Sequence, residues 1–65
     1  MRLIVNGESC EVSAATLAEL LEELGYADKT VATALNSEFV HKHLRAQTPL
    51  GDGDRVEILA PIEGG

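Results

Sequence analysis

The residues of this chain that could do covalent chemistry are few: Cys10, His41 and His43, and the pair Gly64-Gly65 where the sequence stops. A thiol becomes a nucleophile beside an imidazole, but Cys10 falls in an alternating segment opposite Leu3, where a small apolar filler is the usual role. His41 and His43 are two positions apart, which puts them on different sides of a helix, and two ligands without a third make a poor metal site. No side chain is therefore assigned as catalytic or metal-binding, and both histidines read as solvated loop residues. The glycines are a different matter. They add no packing and cost backbone entropy when ordered, and at an average usage of about 7% a given pair of positions holds two glycines only about 0.5% of the time. The chemistry on offer there is that of a main-chain carboxylate, on Gly65, at the end of a tail, residues 61–65, expected to be flexible.

The elements that must present this tail can be read from local patterns. Met1 to Val5 and Glu8 to Val12 flank Asn6-Gly7, the dipeptide most favoured for a two-residue hairpin because both residues tolerate positive φ. Pairing outward from the turn sets Val5 against Glu8, Ile4 against Ser9, Leu3 against Cys10, Arg2 against Glu11 and Met1 against Val12. Met1, Leu3, Val5, Cys10 and Val12 then share one face, and Arg2 meets Glu11 on the other. From Ser13 to Leu24, Leu17, Leu20, Leu21 and Leu24 make one helical stripe. Thr16 and Glu19 read as a reciprocal capping box, with Ser13 a possible cap for a longer helix, and Gly25 ends it. Glu19, Glu22 and Glu23 read as its wet side.

Thr30 to Leu35 predicts a third strand ending at Asn36-Ser37. Phe39-Val40 predicts a short strand and His41 to Gln47 a single helical turn. The loop around Pro49 and Gly51-Asp52-Gly53-Asp54 releases a last strand, Arg55 to Ala60, with Val56, Ile58 and Ala60 on one face. A single amphipathic helix must bury its leucines on one face of one sheet. A last strand parallel to and beside the first makes the crossover right-handed. The fold class is α+β: a β-grasp (ubiquitin-like) domain over residues 1–60, a mixed sheet of four to five strands packed on one main helix.

With these elements placed, the whole chain resembles the ThiS-type sulfur carrier family of thiamine thiazole biosynthesis. The resemblance rests on the short length, the opening strand into an Asn-containing turn, Ala34-Leu35-Asn36, the segment Asp52 to Ile58 and Gly64-Gly65. His41-Lys42 departs from the Pro-Arg common in the family at that point. The resemblance implies a carrier rather than an enzyme. An E1-like (ThiF-type) adenylyltransferase using ATP and magnesium would activate the Gly65 carboxylate, sulfur would replace AMP to leave a thiocarboxylate, and a thiazole synthase (ThiG-type) would accept the sulfur. The carrier itself would bind no cofactor, and Ile62, Glu63 and Gly64 would thread a narrow channel in the partner. Two alternatives stay open: a carrier like the molybdopterin synthase small subunit, which shares the DGD-strand-GG pattern, and a β-grasp adaptor or protein modifier.

Composition agrees with this. Eleven acidic against five basic residues give a formal charge of −6, the wrong sign for a nucleic-acid binder. A chain of 65 residues has one small core and little room for a deep cleft. A single cysteine, no apolar run approaching the roughly 20 residues that span a bilayer and no signal-peptide pattern at the start point to a cytoplasmic protein. Ile4, on the outer face of the hairpin, and Leu59, out of phase with its strand, are the apolar residues that this folding leaves outside. With Ala34 they are the expected partner-docking surface, which acidic Glu57 and Glu63 would steer towards basic groups.

Overall fold

The computed structural model describes residues 1–60. Five strands, β1 (Arg2–Val5), β2 (Glu8–Glu11), β3 (Ala32–Leu35), β4 (Glu38–Val40) and β5 (Arg55–Leu59), form one sheet in the order β2-β1-β5-β3-β4. The helix α1 (Leu17–Glu23) covers one face, and a 3₁₀ element, η1 (Lys42–Gln47), follows β4. The register of the first hairpin is the one that Asn6-Gly7 dictates, from Val5 against Glu8 out to Arg2 against Glu11. β5 lies parallel to β1 and antiparallel to β3. This is the β-grasp arrangement.

The core is the overlap of two periodicities. Leu17 and Leu20 on the helix and Leu3 and Val56 on the sheet are fully buried, and Leu21 and Ile58 nearly so, while Leu24 and Val5 pack at the edge of the same cluster. Burying one such side chain is worth about 1.5–3 kcal/mol. Thr33 is the one buried polar side chain among the described residues. Its hydroxyl donates to the Val40 carbonyl and accepts from Nε of Arg45, whose Nη2 donates to the Val31 carbonyl, so η1 is bolted onto β3.

Several boundaries differ from the sequence reading, each for a long-range reason. The helix starts at Leu17, as the Thr16 cap implies, and not at Ser13, because residues 13–16 are held outside it: Ser13 and Ala14 donate their N–H groups to the Glu23 carboxylate, and Leu17 N–H and Ala15 C=O bond to Thr48 and Leu50. Glu23 is exposed, on the wet side as expected, and is a structural acceptor as well. Thr16 is the N-cap and accepts from Glu19 N–H, but the Glu19 carboxylate reaches Ala15 N–H instead of closing a reciprocal box on Thr16. At the other end Gly25 takes φ +90, Tyr26 N–H bonds to Leu21 C=O and Gly25 N–H to Glu22 C=O, the pairing that ends a helix on a left-handed residue.

β3 begins two residues later than expected, at Ala32, and the expected helical turn is a six-residue 3₁₀ element. β5 ends at Leu59, so Ala60 is exposed instead of sharing the face of Val56 and Ile58. Met1 is 38% exposed, away from the core, because its ammonium group bonds to Val12 C=O and pairs with Glu11.

Candidate functional site

The residue to which the sequence assigns the chemistry, Gly65, and its neighbours Ile62, Glu63 and Gly64 lie outside the described residues, as does the expected flexibility of residues 61–65. What the structure describes is the platform from which they leave: β5 and the open face of the sheet.

β5 is the central strand. Its inward residues Val56 and Ile58 are in the core, which puts Arg55, Glu57 and Leu59 on the face away from α1. The loop before it is closed by carboxylates. Asp52 accepts from Arg2 N–H, Asp54 accepts from Gly51 N–H, and Gly53 N–H reaches the Arg2 carbonyl. The Asp-Gly-Asp run therefore fixes where the strand begins.

The open face holds all three residues expected to dock partners, but it divides them. Ile4 is 36% exposed and pairs with Arg55, and Leu59 is 66% exposed and pairs with Ala32. These two rungs are four residues apart along β5, about 13 Å, with Glu57 between them. Ala34, half-buried, pairs with Glu57 on one side and Phe39 on the other. Phe39, 69% exposed, is the residue that sequence reasoning missed. Once Val40 is seen to be buried, a side chain one position earlier on the strand must point the other way, but the sequence alone offers only a short alternation there. Around Ile4 the face sinks into a hollow of about 390 Å³ lined by Ile4, Arg55 and Glu57 and rimmed by the hairpin turns at Gly7 and Ser37. Arg55 and Glu57 alternate here, and Glu11 is paired with Arg2 at 3.3 Å. The excess negative charge of the chain is therefore not concentrated on this face.

The rival chemistry does not assemble. Cys10 is on β2 and the histidines follow β4, at opposite edges of the five-stranded sheet, about 19 Å apart at the ordinary strand spacing. Cys10 is half-buried between Val5, Leu24 and Tyr26. His41 and His43 are exposed, but they are not independent loop residues. Their rings stack at 4.9 Å, His41 Nδ1 accepts from His43 N–H, and Phe39 meets His41 edge-on. Among the described residues no three His, Cys, Asp or Glu side chains converge to hold a metal ion, and no helix is long and apolar enough to cross a membrane.

Comparison with known proteins bears on this platform directly. The model of the ThiS family matches residues 3–65. A thiazole synthase of Paramagnetospirillum magneticum is 46% identical over the whole of this chain, which spans only 20% of that protein's length. The sulfur carrier protein ThiS of Thermus thermophilus is 43% identical over 94% of this chain and 95% of its own. Among solved structures, the thiamine biosynthesis protein ThiS of Geobacter metallireducens superposes with a TM-score of 0.83 at 36% identity, each chain covered completely.

Proposed function

The chain belongs to the ThiS family, and from that premise we propose that it works as a sulfur carrier in thiamine biosynthesis, with the Gly65 carboxylate as the group that carries sulfur. The observation that carries this reading is the match to a named sulfur carrier protein along nearly the full length of both chains. The thiazole synthase relative, which contains a stretch similar to the whole of this chain, supports a thiazole synthase as the acceptor.

The chemistry follows from what a carboxylate can do. Ionised, it resists nucleophiles, so an E1-like (ThiF-type) adenylyltransferase must first activate it. A carboxylate oxygen of Gly65 attacks the α-phosphorus of ATP, and pyrophosphate leaves with magnesium. A persulfide on the sulfur donor then attacks the acyl carbon and expels AMP. A second thiol cleaves the resulting acyl disulfide, leaving a disulfide on the donor and a thiocarboxylate on Gly65. Both Gly64 and Gly65 lack Cβ, which lets the main chain pass through a narrow channel to the reacting phosphate. The folded domain contributes docking through Ile4, Ala34, Leu59 and Phe39, and ATP and magnesium belong to the partner.

The test is pyrophosphate exchange with the cognate adenylyltransferase. The parent chain supports exchange, and a chain lacking Gly65 or extended by one residue does not. Undiminished exchange after deletion of Gly65 would overturn the reading.

A further inference from the structure

β5 leads into the C-terminal residues, and its last rungs are held by a side chain as well as by the main chain. β1 and β5 pair through two residues each, Ile4 with Arg55 and Val5 with Val56. The ladder is regular to that point: Ile4 N–H bonds to Asp54 C=O and Asn6 N–H to Val56 C=O, both at 2.9 Å. In a regular parallel ladder the next two rungs would run from Ile58 N–H to the main-chain carbonyl of residue 6, and from the N–H of residue 8 to Ile58 C=O. Neither forms, because the chain turns away at Asn6, with φ +50, and Gly7, with φ +84. The Asn6 side chain supplies both instead. Its Oδ1 accepts from Ile58 N–H at 2.8 Å and its Nδ2 donates to Ile58 C=O at 3.1 Å. One carboxamide stands in for a missing peptide unit and extends the grip on β5 two residues beyond the end of β1.

Asparagine meets both requirements at once. It is enriched among the residues that tolerate positive φ, and its amide carries a donor and an acceptor in the arrangement of the main chain. Glycine would satisfy the first alone. The second hairpin turn offers an internal comparison. Asn36, also at φ +50, reaches β5 from the other side, but at the strand's entry: its Oδ1 accepts from Arg55 N–H and its Nδ2 donates to the Asp54 carboxylate. Asn36 closes the loop before β5; Asn6 holds the end that points to the tail.

We propose that Asn6 is a positioning residue for the carrier reaction: by gripping Ile58, one residue before β5 ends, it fixes the direction in which the reaching segment, residues 60–65, begins. That segment spans at most about 21 Å when fully extended, so a loosened anchor changes how often Gly65 arrives in reacting geometry without changing how the domain docks. This rests on the carrier reading above.

The experiment uses Asn6→Gly, which keeps the left-handed turn and removes the carboxamide, beside Asn36→Gly. Amide hydrogen exchange reports the grip, and steady-state pyrophosphate exchange with the cognate adenylyltransferase, ATP and magnesium reports positioning. In Asn6→Gly the Ile58 amide exchanges about tenfold faster, the value of one ordinary hydrogen bond, while that of Thr33 keeps pace with the parent. The kcat for adenylation falls by about tenfold with KM within about twofold of the parent, as expected of misplacement rather than lost binding. Asn36→Gly keeps the parental kcat. Should Asn6→Gly not fold, Asn6→Asp keeps the turn but turns a carboxylate oxygen towards the Ile58 carbonyl, and it shows the same loss in kcat.

A parental kcat in Asn6→Gly or, where that variant does not fold, in Asn6→Asp overturns the positioning role. So does an equal fall in Asn36→Gly, or faster exchange throughout the domain in place of Ile58 alone. The parent separates the two claims: if it is never adenylated, the carrier reading falls and takes the positioning role with it, whereas a normally adenylated parent with an unaffected Asn6→Gly sinks the positioning role alone.

Discussion

The two faces of the sheet carry apolar residues for opposite reasons. On the covered face, Leu3, Val56 and Ile58 meet Leu17, Leu20 and Leu21, and these six are between 0% and 6% exposed. On the open face, Ile4 and Leu59 come from the same strands one position out of phase, Phe39 stands likewise beside buried Val40 on β4, and the three are between 36% and 69% exposed. Nothing about residue type separates Ile4 from Ile58. Strand phase does, and with it the expected consequence of a substitution: one face is packed in the core, the other is exposed and, on the reading proposed above, open to partners. The open face is the surface proposed above for partner contact.

The largest effect should come from the covered face. Leu20→Ala leaves a cavity at a fully buried position and should cost about 2–5 kcal/mol, a large part of the 5–15 kcal/mol typical of a domain. Urea unfolding should show the midpoint shift. Thr33→Val should follow, at about 1–3 kcal/mol, because it leaves the Arg45 Nε and the Val40 carbonyl without their shared partner. Its denaturation slope should match the parent, since the surface exposed on unfolding is the same.

The open face should behave in the reverse way. Ile4→Asp, Leu59→Asp and Phe39→Ser should each leave stability within about 0.5 kcal/mol, seen as a nearly unchanged melting temperature, and raise the apparent KM of the carrier for adenylation. Variants that are adenylated like the parent, or that simply unfold, would break the distinction between the faces. A similarly small effect on stability, with no expected change in KM, should be that of Arg2→Ala. Its pair with Glu11 is solvent-exposed on both sides, worth about 0–1 kcal/mol, and the difference from the parent in thermal unfolding should shrink further in high salt.

How much of this was legible in the sequence depends on how local the cause is. The first hairpin was readable residue by residue, because Asn6-Gly7 sets the register and a slip of one position would turn Leu3 out of the core. The leucine stripe of α1 was equally clear. Its start was marked by the Thr16 cap, but Ser13 offered a longer helix, and what rules that out is the carboxylate of Glu23 and main-chain bonds to residues 48–50, none of which leaves a trace in periodicity. Phe39 was overlooked because a three-residue strand gives too short an alternation to phase by eye. The open-face residues Ile4, Ala34 and Leu59 could be named from phase alone, but their separation by Glu57 needed the β5 register. The grip of Asn6 on Ile58 spans 52 positions and depends on the parallel neighbour of β5, so the sequence shows a turn residue where the structure shows a strand extension as well.

The most direct test of the account is the mass of the C-terminal group after reaction. The chain is incubated with its adenylyltransferase, ATP, magnesium and a persulfide donor, and the intact protein and its C-terminal peptide are weighed. The account predicts the exchange of one oxygen for one sulfur, located on Gly65 and lost again when a thiazole synthase consumes the product. An unchanged mass at Gly65 under conditions where the adenylyltransferase is active on the chain, or a lysine-linked adduct in place of the exchange, would contradict it.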